Sequence, residues 1–148
     1  MIRAAKLGDI QQLIELFHSY YLEGNLQNLS WDTEKMTNSI YNAVINEDSE
    51  ILVVDKGGVI IGAAWCEFVT PYFTDEKALE CRVLYIAEAH RGGLSGSSLI
   101  KQVGMLGKKR GVPYIDIGTT SEIQTERTAR LYKKLGFKHV GYEYRMEN

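Results

Sequence analysis

Leu84-Tyr85-Ile86-Ala87-Glu88-Ala89-His90-Arg91-Gly92-Gly93-Leu94-Ser95-Gly96-Ser97-Ser98-Leu99-Ile100, running on to Lys108-Lys109-Arg110, is the stretch on which the fold turns. Its start is an apolar strand pattern that stops near Ala87. A turn rich in glycine and serine follows, opened by Arg91. A helical pattern then places Leu99, Ile100, Val103 and Leu106 three and four residues apart. Strand, glycine-rich turn and helix form a generic anion site. Residues without side chains let backbone N–H groups approach oxygen atoms closely. The unpaired N–H groups and the dipole of the helix start favour negative charge.

Two phosphate-binding patterns are excluded. The P-loop needs a lysine after its second glycine, and here Ser97 and Ser98 follow Gly96. The dinucleotide fingerprint needs three spaced glycines, and Gly92 and Gly93 are adjacent. What remains resembles the R/Q-x-x-G-x-G/A loop of the GNAT superfamily, the acyl-CoA-dependent N-acyltransferases. Arg91 takes its first position and Gly96 its last. Leu94 stands where the family usually has its first glycine, a departure that Gly92 and Gly93 offset one or two residues earlier.

A second stretch, Thr125-Glu126-Arg127-Thr128-Ala129-Arg130-Leu131-Tyr132-Lys133-Lys134-Leu135-Gly136-Phe137, is similar to the family's Asn-x-x-Ala-x-x-Leu-Tyr-x-x-x-Gly-Phe. Leu131, Tyr132, Gly136 and Phe137 match; Thr125 replaces the Asn and Thr128 the Ala. Two motifs in order, with a strand between them, are far more specific than either alone.

The rest of the chain supplies matching elements. Ile2 to Lys6 reads as a first strand. Asp9 is placed to cap a helix, with Gln12 in the capping-box position, and Ile10, Leu13, Ile14, Phe17 and Tyr21 recur at helical spacing. Asp32 caps a second helix carrying Met36, Ile40, Ala43 and Val44. Glu50 to Asp55 and Val59 to Val69, joined by Lys56-Gly57-Gly58, predict a hairpin. Ala78 to Ala87 adds a third antiparallel strand. Gly111-Val112-Pro113 stops the central helix, and Tyr114 to Gly118 is a strand. A right-handed crossover makes it parallel to the strand before the glycine loop. A last helix starts near Thr125, and Phe137 to Met146 reads as a final strand. The order βααβββαβαβ predicts an α/β (α+β mixed) GNAT-like fold in a single domain over residues 1–148. Its sheet is mixed and mostly antiparallel, with a splayed parallel pair flanked by helices. Many family members carry a hairpin after Gly-Phe, and here only one strand fits. The sheet edge this leaves suits a second subunit, so a homodimer is expected.

Composition bounds the function. The chain has 148 residues and a formal net charge of -2, which argues against a dedicated nucleic-acid binder. The cluster Lys101, Lys108, Lys109 and Arg110 reads as a solvated helix end, or as an aid to a polyanionic cofactor. The longest apolar run, Val59 to Cys66, is too short to span a bilayer, and no secretory signal is present. No membrane association and a cytoplasmic location are expected. Cys66 and Cys81 read as buried free thiols, and His18, His90 and His139 are scattered without metal-ligand spacing, so no metal is expected.

The resemblance implies acetyl-CoA as co-substrate. Its pyrophosphate would lie on Arg91, Gly92, Gly93, Leu94, Ser95, Gly96 and Ser97, with Arg91 adding charge. Its pantetheine arm would run beside Leu84, Tyr85 and Ile86, and Thr125 and Tyr132 would complete the cofactor side. A backbone N–H near Ile86 would polarise the thioester carbonyl. Acyl transfer to an amine sets two proton problems. An alkyl amine of pKa about 10.4 arrives charged and must lose a proton. The departing thiolate must gain one. Tyr132 matches the family's general acid, and a phenol keeps its proton at neutral pH; a core tyrosine on the helix stripe is the competing reading. Glu80 is the candidate base, directly or through water. Its competing reading is a surface carboxylate paired with Arg82, and Glu67 is a second candidate. The acceptor is a primary amine on a small molecule or peptide. Gly24 to Trp31 and Thr70 to Lys77, with Tyr72, Phe73, Asp75 and Glu76, would shape its pocket. A non-catalytic coenzyme A-binding or regulatory domain of the same fold is the alternative.

Overall fold

The structure is a computed structural model that describes residues 1–148. Eight of its elements match the sequence reading closely. They are α1 (Ile10–Glu23), α2 (Thr33–Ile45), β2 (Ser49–Lys56), β3 (Val59–Val69), β4 (Ala78–Ile86), α3 (Ser95–Arg110), β5 (Ile115–Ile117) and α4 (Thr125–Lys134). The first strand, β1 (Ile2–Ala4), is shorter than expected. The five strands form one sheet in the order β1-β2-β3-β4-β5. All neighbours are antiparallel except β4 and β5.

Alternation along the central strands explains both layers of core. On one face Leu52, Val54, Ala64, Leu79 and Cys81 pack beneath Leu99, Val103 and Leu106 of α3. On the other, Ile51, Val53, Ala63 and Tyr85 meet Leu13, Phe17 and Ile40 from α1 and α2. The period of two in the strands and of three to four in the helices brings these sets together. The β2–β3 hairpin turns at Gly57 and Gly58, whose φ angles of +62° and +89° fit a turn with both central residues left-handed.

Two expectations are corrected. Asp9 does not cap α1 with its side chain. Its carboxylate instead takes a forked pair of hydrogen bonds from Arg3, at 2.7 and 3.0 Å, and one from the Lys6 N–H. A buried carboxylate is better satisfied by a guanidinium than by a helix end. Gln12 likewise leaves the capping box: it receives the Ile60 N–H and donates to the Gly58 carbonyl, tying α1 to the hairpin. The second correction concerns Phe137 to Met146, which is not a strand. Backbone hydrogen bonding stops at Phe137, so the segment beyond it has no ladder partner within the chain. The alternation is present, and a strand also needs a neighbour.

Asp32 behaves as read, accepting the Lys35 N–H at 3.0 Å. Arg110 sits over the Phe68 ring, 4.2 Å from its centroid, and donates to the Glu47 carbonyl. That part of the basic cluster fastens the end of α3.

Candidate active site

The parallel pair opens into a fork. β4 and β5 are joined only at Leu79–Ile115, Glu80–Asp116 and Cys81–Ile117. Beyond Cys81, β4 runs on to Ile86 with no strand on that side, still paired with β3 on the other. Its outward-facing peptide groups are therefore available to an extended ligand, the arrangement found at the carboxyl ends of strands in open α/β sheets.

The glycine-rich turn lies at the far end of this open edge. The N–H groups from Gly92 through Ser97 have no acceptor within the chain; the Arg91 N–H bonds Glu88, and the next used donor is Ser98, bonded to Leu94. Leu94 precedes α3 without a side-chain cap, so no hydroxyl or carboxylate competes for these donors. Gly92 is at φ +93°, a conformation that glycine adopts without strain. A Cβ on Gly96 would lie 4.0 Å from Ile86 Cγ1, an ordinary van der Waals contact, so the start of α3 sits close to the end of β4 without a clash. A run of donors at a helix N-terminus, clear of side chains, fits a pyrophosphate. An open cavity of about 370 Å³ lies against the loop, lined in part by Lys56, His90, Arg91, Gly93 and Ser95.

Arg91 does not point its charge into this cradle. Its Nε donates to the Ile86 carbonyl at 2.9 Å, and its Nη2 donates to Glu23 Oε2 at 2.7 Å. The Tyr85 hydroxyl donates to the same Glu23 oxygen at 2.7 Å. The guanidinium carbon lies 5.2 Å from the centroid of the Tyr85 ring. Arg91 therefore braces the turn against the end of α1. The guanidinium holds the Glu23 carboxyl below the usual carboxylate range. Burial, then Glu23, push the Tyr85 phenol up to about 12. Glu23 escaped the sequence reading because its partners stand more than sixty positions away.

Across the fork, Tyr132 of α4 is buried and donates its hydroxyl to the Gly118 carbonyl at 3.0 Å. Burial pushes its phenol well above the ordinary value, with Cys81 and Tyr20 as electrostatic neighbours. The proton stays on at any physiological pH, as an acid requires. Tyr20 packs edge-on against Tyr85 at 5.7 Å between centroids, so α1 walls the fork with aromatic rings. The end of α1 is also tied to the loop after β5, where the Asn25 amide donates to the Thr120 carbonyl at 2.7 Å. That loop holds Glu122 and Gln124 at φ +62° and +47°, a left-handed backbone that costs non-glycine residues energy.

The remaining expected residues are placed as follows. Leu84 and Ile86 border the α3 core, and Tyr85 belongs to the α1 face. Thr125 opens α4, exposed. Glu80 lies below the fork, opposite Glu67 on β3 and Asp116 on β5. Its Oε2 is 3.1 Å from Arg82 Nη2, and Arg82 Nε donates to Glu67 at 2.9 Å. The surface pairing considered for Glu80 is present. Tyr72 and Phe73 are fully exposed in the loop before β4. No group of His, Cys, Asp and Glu is arranged to hold a metal ion.

A forked parallel pair, a bare-donor turn leading into a helix, and a buried tyrosine across the fork define the fold of the acyl-CoA-dependent N-acyltransferases. Comparison with known proteins agrees. The family model described as acetyltransferase (GNAT) domain matches residues 47–139, and the chain belongs to that family. It is an acyltransferase of the GNAT type. No curated protein sequence matches it. Among solved structures it is similar to a ribosomal-protein-alanine N-acetyltransferase from Brucella melitensis biovar Abortus 2308, with TM-score 0.76 and 16% identity over 100% of this chain and 98% of that one. An aminoglycoside acetyltransferase from an uncultured soil metagenomic sample gives TM-score 0.75 and 16% identity over 100% and 97%. A predicted acetyltransferase from Clostridium acetobutylicum, solved with acetyl-CoA, gives 0.75 and 16% over 99% and 95%. At these identities the likeness establishes the fold. No helix of the chain is long and apolar enough to cross a membrane.

Proposed function

We propose that this protein transfers an acetyl group from acetyl-CoA to a primary amine. The observation that carries the reading is the run of acceptor-free N–H groups from Gly92 to Ser97, set at the open end of β4. These donors suit the pyrophosphate, and Leu84 to Ile86 offer an extended edge to the pantetheine arm. Arg91 Nε already occupies the Ile86 carbonyl, so the arm shares that acceptor or takes it over.

In this reading the amine nitrogen attacks the thioester carbonyl carbon, the carbon–sulfur bond breaks, and the electron pair leaves on sulfur. A β4 backbone N–H near Ile86 stabilises the developing oxyanion. Tyr132 delivers its phenolic proton to the thiolate, releasing its bond to Gly118 as it does so, and the second proton lost by the acylated nitrogen returns, through water, to the phenolate. The amine must first lose a proton; Glu80, acting through water, is the residue proposed to receive it. Glu67, Glu80 and Asp116 stand abreast on neighbouring strands with Arg82 among them. That excess of carboxylates suits an acceptor that arrives as a cation.

The test is a panel of amine acceptors, from polyamines and aminoglycosides to peptides with free amino termini, incubated with acetyl-CoA while free thiol is followed. Acceptor-dependent thiol release is the expected result. A folded protein that binds coenzyme A and releases thiol with none of them would favour the binding-domain alternative.

A further inference from the structure

The chain has two cysteines, both free, and the fold sets them face to face. Cys66 on β3 stands directly opposite Cys81 on β4. Both belong to the core on the α3 side of the sheet, with Ala64, Leu79 and Val103. Neither has a part in acyl transfer. Residues directly opposite in an antiparallel ladder have Cα atoms about 4.5 or 5.5 Å apart. A disulfide spans about 4.4–6.8 Å between Cα atoms, so either spacing admits the bond. The register also skips Arg82, since Trp65 faces Val83 and Cys66 faces Cys81. The ladder is thus already interrupted beside the pair, where a small adjustment breaks the fewest hydrogen bonds.

The two thiols are not equivalent. Cys66 has no exposure, whereas Cys81 keeps 8% and lies where pairing with β5 stops. The Cys81 thiol donates to the Val83 carbonyl at 3.4 Å, across the bulge. Contact with Cys81, then burial, push the Cys66 thiol up. A small oxidant therefore meets Cys81 first. Cys66, held protonated against it, needs no contact with solvent to react second.

We propose that Cys66 and Cys81 are a site of reversible oxidation by a peroxide, closing to a disulfide that staples β3 to β4 at the root of the fork. The Cys81 thiolate attacks one peroxide oxygen and the O–O bond breaks. Cys81 is left as a sulfenic acid, and the departing hydroxide takes up the proton that Cys81 released. The Cys66 sulfur then attacks the sulfenic sulfur. The S–S bond forms, the S–O bond breaks, and the hydroxyl leaves as water with the Cys66 proton. Two thiols lose two electrons, and one peroxide becomes two waters. A dithiol reverses the bond by exchange. The staple closes a loop of about 15 residues, which restricts the unfolded chain. None of this involves coenzyme A, so the staple and acyl transfer can fail separately.

The test treats the whole folded chain with excess hydrogen peroxide and then counts thiols in denaturant. Both thiols should disappear together, in a single chain lighter by two hydrogen atoms. The midpoint of thermal unfolding should rise by about 5 °C or more. Dithiothreitol should restore both thiols and the original midpoint. Folded Cys81→Ser should keep its Cys66 thiol under the same treatment and show no rise. Two thiols that survive peroxide in the folded parent overturn the proposal. So do sulfinic acids in place of the bond, a bond between chains, or a midpoint that does not rise. Loss of the Cys66 thiol in folded Cys81→Ser would overturn the assigned order of attack.

Discussion

The two halves of the sheet are built on opposite principles. β2, β3 and β4 are paired along nearly their whole length, from Ser49–Glu67 to Lys56–Val59 and from Gly62–Ile86 to Val69–Ala78. β5 is held to β4 at three positions, and α4 and the segment beyond it add little buried surface. The first half buries Leu13, Ile40, Ile51 and Leu79 to 1% exposure or less. In the second half Tyr132 is the one buried residue beyond Leu106 and Gly107. The first half supplies most of the buried core; where pairing stops, β4 keeps an open edge, the turn after it keeps unpaired backbone donors, and Tyr132 holds its proton against the Gly118 carbonyl. A site on an open sheet requires pairing to stop somewhere, and here it stops at Cys81.

The contrast predicts where substitutions register. The largest effect belongs to the paired half: Leu13→Ala removes a side chain with no exposure and should cost about 2–5 kcal/mol in urea unfolding, with little change in coenzyme A affinity once folded. Tyr132→Phe comes next. It keeps the ring and its packing on Phe137, and should lower turnover by ~100-fold while leaving coenzyme A affinity in place. Turnover at the parent rate would make Tyr132 a core residue only.

Glu23→Gln probes the seam between the halves. Arg91 and Glu23 are partly exposed, so the loss in stability should be about 1 kcal/mol or less. The pH dependence has a definite sign. The Glu23 carboxyl is lowered by Arg91, so its contribution is present above the unfolded value of about 4.3 and fades as pH falls through the lowered one. Thermal unfolding of parent and Glu23→Gln should therefore differ at pH 7 and converge in strong acid. A gap that widens in acid would contradict the assignment. The smallest effect is expected at Leu94, which is 80% exposed. Leu94→Ala should change stability by less than about 0.5 kcal/mol, although this residue sits at the centre of the loop motif.

What the sequence revealed divides instead into local and nonlocal features. The meander, the turn into α3 and the helix that carries Tyr132 are written in local patterns: alternation, glycine placement, helical spacing. What escaped was nonlocal. Asp9 has the residue type and spacing of a cap, and Arg3 claims it from β1. Glu23 looks like any polar residue at the end of a helix until the fold brings it to Arg91 and Tyr85. Arg91 read as a charge for phosphate, and its pairing with Glu23 is a contact that local spacing does not reveal. Residues 138–146 have the alternation of a strand, yet alternation specifies a face to bury and not the neighbour that buries it.

The central claim is that the turn between β4 and α3 is the coenzyme A cradle. Coenzyme A titrated by calorimetry into the parent protein and into Gly96→Asp tests it directly. A Cβ there would meet Ile86 at 4.0 Å, an ordinary contact without a clash, so the variant should fold, checked by an unchanged circular dichroism spectrum. Its carboxylate would then stand among the donors and repel the pyrophosphate. The account predicts measurable binding by the parent and a loss of at least ~100-fold in the variant, the scale of the several kcal/mol that juxtaposed like charges cost. Equal affinity in a folded Gly96→Asp protein would contradict it.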